Sequence, residues 1–126
     1  MPDPLLTRPG SFATAAYWLA FFATSVYGHV ALKLAVARSR DGDNVASVIW
    51  SGFTSWWGLS AYVAWGVSCL CWMMCISQSG LLKASSVSSL SYVLICASAV
   101  AFLGESLTSQ RAAGVVLIAA GIMLVK

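Results

Sequence analysis

Four long apolar stretches dominate the chain, and each has about the length that crosses the hydrocarbon core of a bilayer. They cover roughly residues 12–37, 57–79, 84–103 and 109–125. A membrane-spanning helix needs about 20 mostly apolar residues. The composition agrees, because 60% of the residues are hydrophobic, 9% are charged and the mean hydropathy is +0.83. The sequence therefore predicts an all-α membrane protein with four transmembrane helices in a single domain, residues 1–126.

The segment between the first two spans is too polar for hydrocarbon, yet it carries apolar side chains at helical spacing. Val45, Ile49 and Phe53 follow one another every four residues. Trp50 and Trp56 are of the type that favours headgroup depth. Two interpretations of residues 44–58 remain open at this point: a short interfacial amphipathic helix, or a loop anchored in the lipid.

The distribution of charge and cysteine excludes some classes of protein. The net charge of +3 is small and its basic residues are scattered, so there is no nucleic-acid footprint. The first apolar run is too long for a signal peptide and is expected to be a retained helix. The cysteines lie within apolar runs without metal-ligand spacing, so packing is their expected role. Lysine and arginine divide evenly between the two sides of a four-span arrangement and do not orient the chain. The basic residues counted are Arg8, Lys83 and Lys126 on one side and Arg38, Arg40 and Arg111 on the other.

A polar stripe interrupts the first apolar stretch. Ser25, His29 and Lys33 are spaced by four, which on a helix makes a stripe about 12 Å long. Charged residues in spans usually face a bundle interior or a wet cavity and indicate a functional site. The alternatives are that Lys33 reaches the headgroups and that His29 bonds a neighbouring helix. No Asp or Glu lies within the first, second or fourth stretch, and Glu105 stands at the very end of the third. The stripe therefore predicts a cation that attracts an anionic group such as a phosphate.

The last two apolar stretches contain further candidate residues. Ser88 and Tyr92 lie on one helical face and are expected either to line a polar groove with Lys33 or to join helices. Gly114 and Gly121 are two turns apart, which predicts a face for close helix pairing within or between chains. For the charged residues that flank the last connector, Glu105 and Arg111, we expect a structural role in capping, headgroup contact or an ion pair.

The end of the chain resembles the last two helices of the drug/metabolite transporter superfamily. The matching residues are Gly104, Glu105, Leu107, Thr108, Arg111, Gly114, Ile118 and Gly121. Four helices in one chain are similar to the small multidrug resistance proteins, which are half-sized members that dimerise. This resemblance implies a bundle of that type and assigns Gly114 and Gly121 to a dimer interface.

The first span distinguishes two branches of that superfamily. With Gly28 and Lys33 aligned, Ser25 occupies the position of the essential glutamate of the multidrug members. The segment Gly28 to Lys33 instead resembles the Gly-Gln-x-x-x-Lys of small subunits proposed to flip undecaprenyl-phosphate-linked aminoarabinose, with His29 in place of the glutamine. This likeness implies that Lys33 holds the phosphate of a lipid. Its headgroup would then contact the remaining groove residues, Ser25, His29, Ser88 and Tyr92.

The leading hypothesis is a dimeric flippase in the cell inner (plasma) membrane. Its substrate would be an anionic lipid or a lipid-linked sugar of the polyprenyl-phosphate type, and its partner a second copy or a similar small subunit. Two alternatives remain: an exporter of small cations that uses Glu105, and a non-transporting accessory subunit. We expect no enzymatic chemistry, metal, cofactor or nucleic acid, because no nucleophile and base set and no metal-ligand spacing occurs in the sequence.

Overall fold

The computed structural model describes residues 11–38 and 44–124, and these ranges are almost entirely helical. No strand occurs within them, so the all-α prediction is confirmed. Val125, the last residue of the fourth predicted span, lies outside the described residues. The helices of these ranges are α1 (Ser11–Ala37), α2 (Val45–Thr54), α3 (Trp56–Ser79), α4 (Leu81–Ser88), α5 (Leu90–Leu103) and α6 (Ser109–Leu124).

Within the described residues, three helical segments are long and apolar enough to cross a membrane. They are Phe12–Ala37, Trp56–Ser79 and Leu81–Leu103. The first two coincide with the predicted spans to within one residue, and the third begins at Leu81 rather than at Ala84. α6 has 16 residues, which correspond to about 24 Å of helix, less than the roughly 30 Å of hydrocarbon. The structure is therefore consistent with a multi-pass membrane protein, while a fourth span stays a prediction.

A serine-rich break divides the third apolar segment into α4 and α5. Ser89 keeps right-handed helical dihedral angles, with φ −59° and ψ −22°, so the chain continues in nearly the same direction. Serine hydroxyls in this break donate to carbonyls of the preceding turn. The Ser85 hydroxyl donates to the Leu82 carbonyl, and the hydroxyls of Ser88 and Ser89 both donate to the Ser85 carbonyl. Such bonds compete with the regular helical ladder and often bend a helix.

The α1–α3 contact is the largest helix pair of the described structure, and its buried residues are small. Without a hydrophobic driving force in lipid, helices associate by close van der Waals packing, which small residues permit. Farther along the same contact, Phe21 packs against Trp72 with ring centroids 5.4 Å apart. The buried residues of the two helices are Ser25, Gly28, Ala31 and Ala35 of α1 and Gly58, Ala61, Ala64, Ser68 and Cys75 of α3.

The polar segment after α1 forms a helix, α2, rather than a loop. Asn44 begins it by accepting a hydrogen bond from the Ala46 amide. Its glycine, Gly52, is buried against α3, and Phe53 stacks on Tyr62 at 5.1 Å between ring centroids. Several apolar side chains of α2 nevertheless remain exposed. They include Val45, Ile49 and Trp50.

α1 occupies the centre of the arrangement. It contacts α3 on one side and α5 on the other, whereas the main contact of α6 is with α5. α1 and α5 run parallel, because the groove between them is lined from Leu19 to Val30 on α1 and from Leu94 to Phe102 on α5, and Lys33 pairs with Glu105 beyond these residues. The carboxyl-terminal parts of the two helices therefore lie side by side.

Substitution of Gly58 tests the contact between α2 and α3. A Cβ added at Gly58 would overlap the Gly52 carbonyl oxygen, an atom of backbone that cannot move aside alone. We expect Gly58→Ala to destabilise the protein by about 2 kcal/mol or more, because α2 must shift. Thermal unfolding in detergent measures this effect.

Gly66→Ala is the matched control in the same helix, because no atom lies within 4 Å of its added Cβ. That variant should be neutral or stabilising by about 0.5–1 kcal/mol, since alanine favours helix interiors over glycine. Equal unfolding temperatures for Gly58→Ala and Gly66→Ala would contradict the close contact between α2 and α3.

Candidate functional site

An ion pair joins the ends of the parallel helices α1 and α5. The Lys33 Nζ lies 3.0 Å from Glu105 Oε1. The Lys33 side chain is 57% exposed and the Glu105 side chain 39%, so other groups can reach both charges. Among the described residues this is the one ion pair between acidic and basic side chains.

The turn after α5 positions the carboxylate. Gly104 adopts the left-handed conformation, with φ 63° and ψ 23°, and the Glu105 amide donates to the Ala99 carbonyl at 3.3 Å. A left-handed residue followed by this bond is a common helix ending, and glycine adopts it without the clash of a Cβ. The Gly-Glu pair at the end of the apolar run therefore directs Glu105 back beside the helix, towards Lys33.

This arrangement differs from the sequence-based expectation about Lys33. The sequence suggests a cation without a carboxylate partner, since Glu105 is 72 positions away and stands at the end of the third stretch. In the fold, Glu105 lies beside Lys33 because α1 and α5 are parallel. The Lys33 ammonium has three N–H donors and can therefore bind a further group while it contacts Glu105.

The polar stripe of α1 is divided between two neighbours. Ser25 is buried among the residues that face α3, whereas Lys33 extends to Glu105 beyond α5. His29 lies between them and is exposed. Its Nδ1 donates to the Ser25 carbonyl over 2.7 Å, which leaves Nε2 as the ring nitrogen that faces away from this bond.

An indole ring from α3 supports this part of α1. The Trp65 ring covers Gly28 and lies edge-on to His29, with ring centroids 5.3 Å apart. Trp65 Nε1 is buried without a hydrogen-bond partner. Trp65 is not among the candidate residues predicted from the sequence. A signal for it existed in Gly28, since a glycine within an apolar helix often marks the close approach of another group.

Ser88 and Tyr92 are not close to Lys33 within the chain. They stand at the opposite end of the α4–α5 segment, and the 17 residues from Ser88 to Glu105 correspond to a helical rise of about 25 Å. The Ser88 hydroxyl donates to the Ser85 carbonyl at 2.8 Å, and Tyr92 is exposed. The shared groove expected for these residues and Lys33 is therefore not formed within one chain.

The predicted pairing face on α6 is open. Among the described residues, no atom outside the adjoining backbone of α6 and the glycines' chain neighbours lies within 4 Å of a Cβ built at Gly114 or at Gly121. Arg111 is exposed one turn before Gly114, and it lines a shallow groove between α5 and α6 with Glu105 and Val100. The backbone amide of Arg111 donates to the Thr108 hydroxyl oxygen over 3.4 Å, as at a helix start.

Comparisons with known proteins do not extend this description. No protein-family model matches the chain, and no curated protein or solved structure matches it either. A functional proposal therefore depends on the residues and the geometry of the chain itself.

Gly28→Ala should displace the Trp65 ring. The added Cβ would lie 2.5 Å from Trp65 Nε1, too close for a ring held between two helices. We expect a loss of about 1–3 kcal/mol of unfolding free energy, as for overpacking in other tight contacts. Thermal unfolding measures it, and Gly28→Ala combined with Trp65→Phe should recover part of the loss. A stable single variant would contradict the contact.

Exchange of the two charges tests the ion pair. Lys33→Glu alone places two carboxylates together and should destabilise the protein, whereas Lys33→Glu with Glu105→Lys restores opposite charges. We expect a coupling of about 0.5–1 kcal/mol, the size typical of solvent-accessible pairs. Unfolding of the four combinations in detergent measures it. Strictly additive effects would mean that the charges do not interact.

Proposed function

We propose that the protein transports an anionic lipid or lipid-linked sugar of the polyprenyl-phosphate type across a membrane, and that Lys33 binds the phosphate. The single observation that carries the proposal is the accessible ammonium of Lys33 at the end of an apolar span. A phosphate can bind this accessible ammonium through charge-assisted hydrogen bonds, and it offers more acceptors than the carboxylate that already pairs with it.

The pairing with Glu105 is compatible with this role. Lysine has three donors and Glu105 accepts from one of them, so a phosphate can bind without first breaking the pair. Glu105 in turn orients the Lys33 side chain while no substrate is bound. The half-exposed state of both side chains supports exchange between internal pairing and ligand binding.

For the assembly, we propose a dimer of small multidrug resistance type in the cell inner membrane. α6 serves as its fourth span and α2 lies at the membrane interface. The open face at Gly114 and Gly121 supports helix pairing between copies or with a similar small subunit. The exposed apolar side chains of α2, Trp50 among them, support an interfacial position. Alternating access would come from motion of one half of the dimer against the other.

A second candidate function is export of small cations through Glu105. Its carboxylate is accessible, and it lines the α5–α6 groove with the apolar residues Val100 and Ile118. A hydrophobic cation could place its charge at Glu105 and its apolar part in this groove. The two candidates differ in which member of the Lys33–Glu105 pair contacts the substrate.

Neutralising each member of the pair separates the two functions. With an anionic substrate, Lys33→Gln should lose about tenfold or more of the co-purified anionic lipid, since a charge-assisted hydrogen bond contributes about 1.5–3 kcal/mol. Glu105→Gln should keep or increase that lipid. Native mass spectrometry of the purified protein measures bound lipid, and a flipping assay in proteoliposomes measures transport.

Lys83→Gln is the matched control, because Lys83 is an exposed lysine of α4 at the other end of the third span. It should bind and transport as the unaltered protein does. Light scattering should show unchanged dimers in all three variants. Retained lipid and transport in Lys33→Gln would overturn the proposal. Loss of quaternary-ammonium binding in Glu105→Gln, with Lys33→Gln active, would favour cation export.

A further inference from the structure

An apolar groove lies between α1 and α5, on the side of α1 that faces away from α3. It has a volume of about 720 Å³ and opens towards the surroundings of the helices. Leu19, Val26 and Val30 form one wall, and Leu94 and Phe102 contribute to the other. Small side chains line it between these bulkier ones, namely Ala23, Ala97 and Ala101.

The groove requires no polar group from an occupant. Two of its lining residues carry hydroxyls, and both hydroxyls are satisfied within the chain. Ser98 Oγ donates to the Ile95 carbonyl at 2.8 Å, and Tyr27 bonds the Ser60 hydroxyl at 3.2 Å. An apolar ligand can therefore occupy the groove without leaving a buried polar atom unpaired.

One end of the groove lies next to the Lys33–Glu105 pair. On α1 the last lining residue is Val30, one turn before Lys33, and on α5 it is Phe102, one turn before Glu105. The lined part of α1, from Leu19 to Val30, corresponds to about 16 Å of helix. The surface therefore combines an accessible charge at one end with an extended apolar slot, which is the chemical profile of an amphiphile with an anionic head.

We propose that this groove binds one hydrocarbon chain of the transported lipid while Lys33 binds its phosphate. The inference rests on the proposed function and adds where the apolar part of the substrate lies. It replaces the polar groove expected at Ser88 and Tyr92, which stand at the other end of the third span. The α1–α5 groove thus selects for lipids, and the ion pair selects among them by headgroup charge.

Filling the groove tests the binding of the lipid's hydrocarbon chain separately from the binding of its headgroup. Ala101→Leu places a larger side chain in the slot and leaves Lys33 and Glu105 unchanged, and Ala23→Leu does the same from α1. Ala119→Leu is the matched control, because Ala119 is an exposed alanine of α6 away from the α1–α5 groove and off the Gly114–Gly121 face. Size-exclusion chromatography verifies that each variant is folded. If Ala101→Leu is misfolded, Ala23→Leu is used in its place.

The probe is a phosphatidic acid with a diazirine in the middle of one acyl chain, present as a minor component of phosphatidylcholine vesicles that contain the protein. After irradiation, peptide mass spectrometry locates the cross-links. A phosphatidylcholine with the same diazirine chain serves as the comparison. We expect phosphatidic acid to label α1 and α5 at the groove at least about fivefold more than phosphatidylcholine does. Ala101→Leu should reduce this labelling about fivefold, as loss of one or two buried methylenes would. Ala119→Leu should not change it.

Each outcome decides between the possibilities. Equal labelling by both probes would mean surrounding lipid only, and labelling unaffected by Ala101→Leu would place the chain elsewhere. No labelling of the groove by either probe would mean that another occupant, such as a second chain, covers it. Each of these results overturns the inference, while loss of co-purified anionic lipid in Lys33→Gln would still support the proposed function. If Lys33→Gln keeps both its lipid and its preference for phosphatidic acid, the proposed function fails as well.

Discussion

The rest of the structure depends on the close contact between α1 and α3. In lipid this contact cannot draw on expulsion of water, so it depends on dense packing and on backbone groups satisfied within each helix. The buried residues Ala31, Ala35, Ala61 and Ala64 let the two helices approach closely. This close approach of the two helices also places the Trp65 ring against Gly28. A rigid α1–α3 pair then provides the surface against which α5 is placed.

Because one face of α1 is occupied by α3, its opposite face defines the candidate site. That face presents larger apolar side chains to α5 and ends at Lys33. The parallel direction of α5 brings Glu105 to the same level, and the left-handed Gly104 turns it inwards. The charged pair and the apolar groove are thus two ends of one contact between α1 and α5. Neither would exist if α5 packed elsewhere.

Some residues of this site could be predicted from the sequence and others could not. A charge in an apolar span marks Lys33, and a glycine before a glutamate marks the end of α5. A spacing of four residues, however, turns a helix by about 40° each time, so Ser25 and Lys33 diverge by about 80° and face different neighbours. Ser88 and Tyr92 share a face of their own segment, but their distance along it separates them from Lys33.

The sequence by itself determined the helical class and the positions of the three long apolar helices, because hydrophobic length and turn residues are local properties of the chain. It also indicated a cation in the first of them, Lys33. Only the tertiary structure decided that Lys33 pairs with Glu105, that Trp65 covers Gly28 and that an apolar groove adjoins the pair. These features depend on which helix faces pack together and in which relative direction, and residues far apart in the chain meet only once that packing is set.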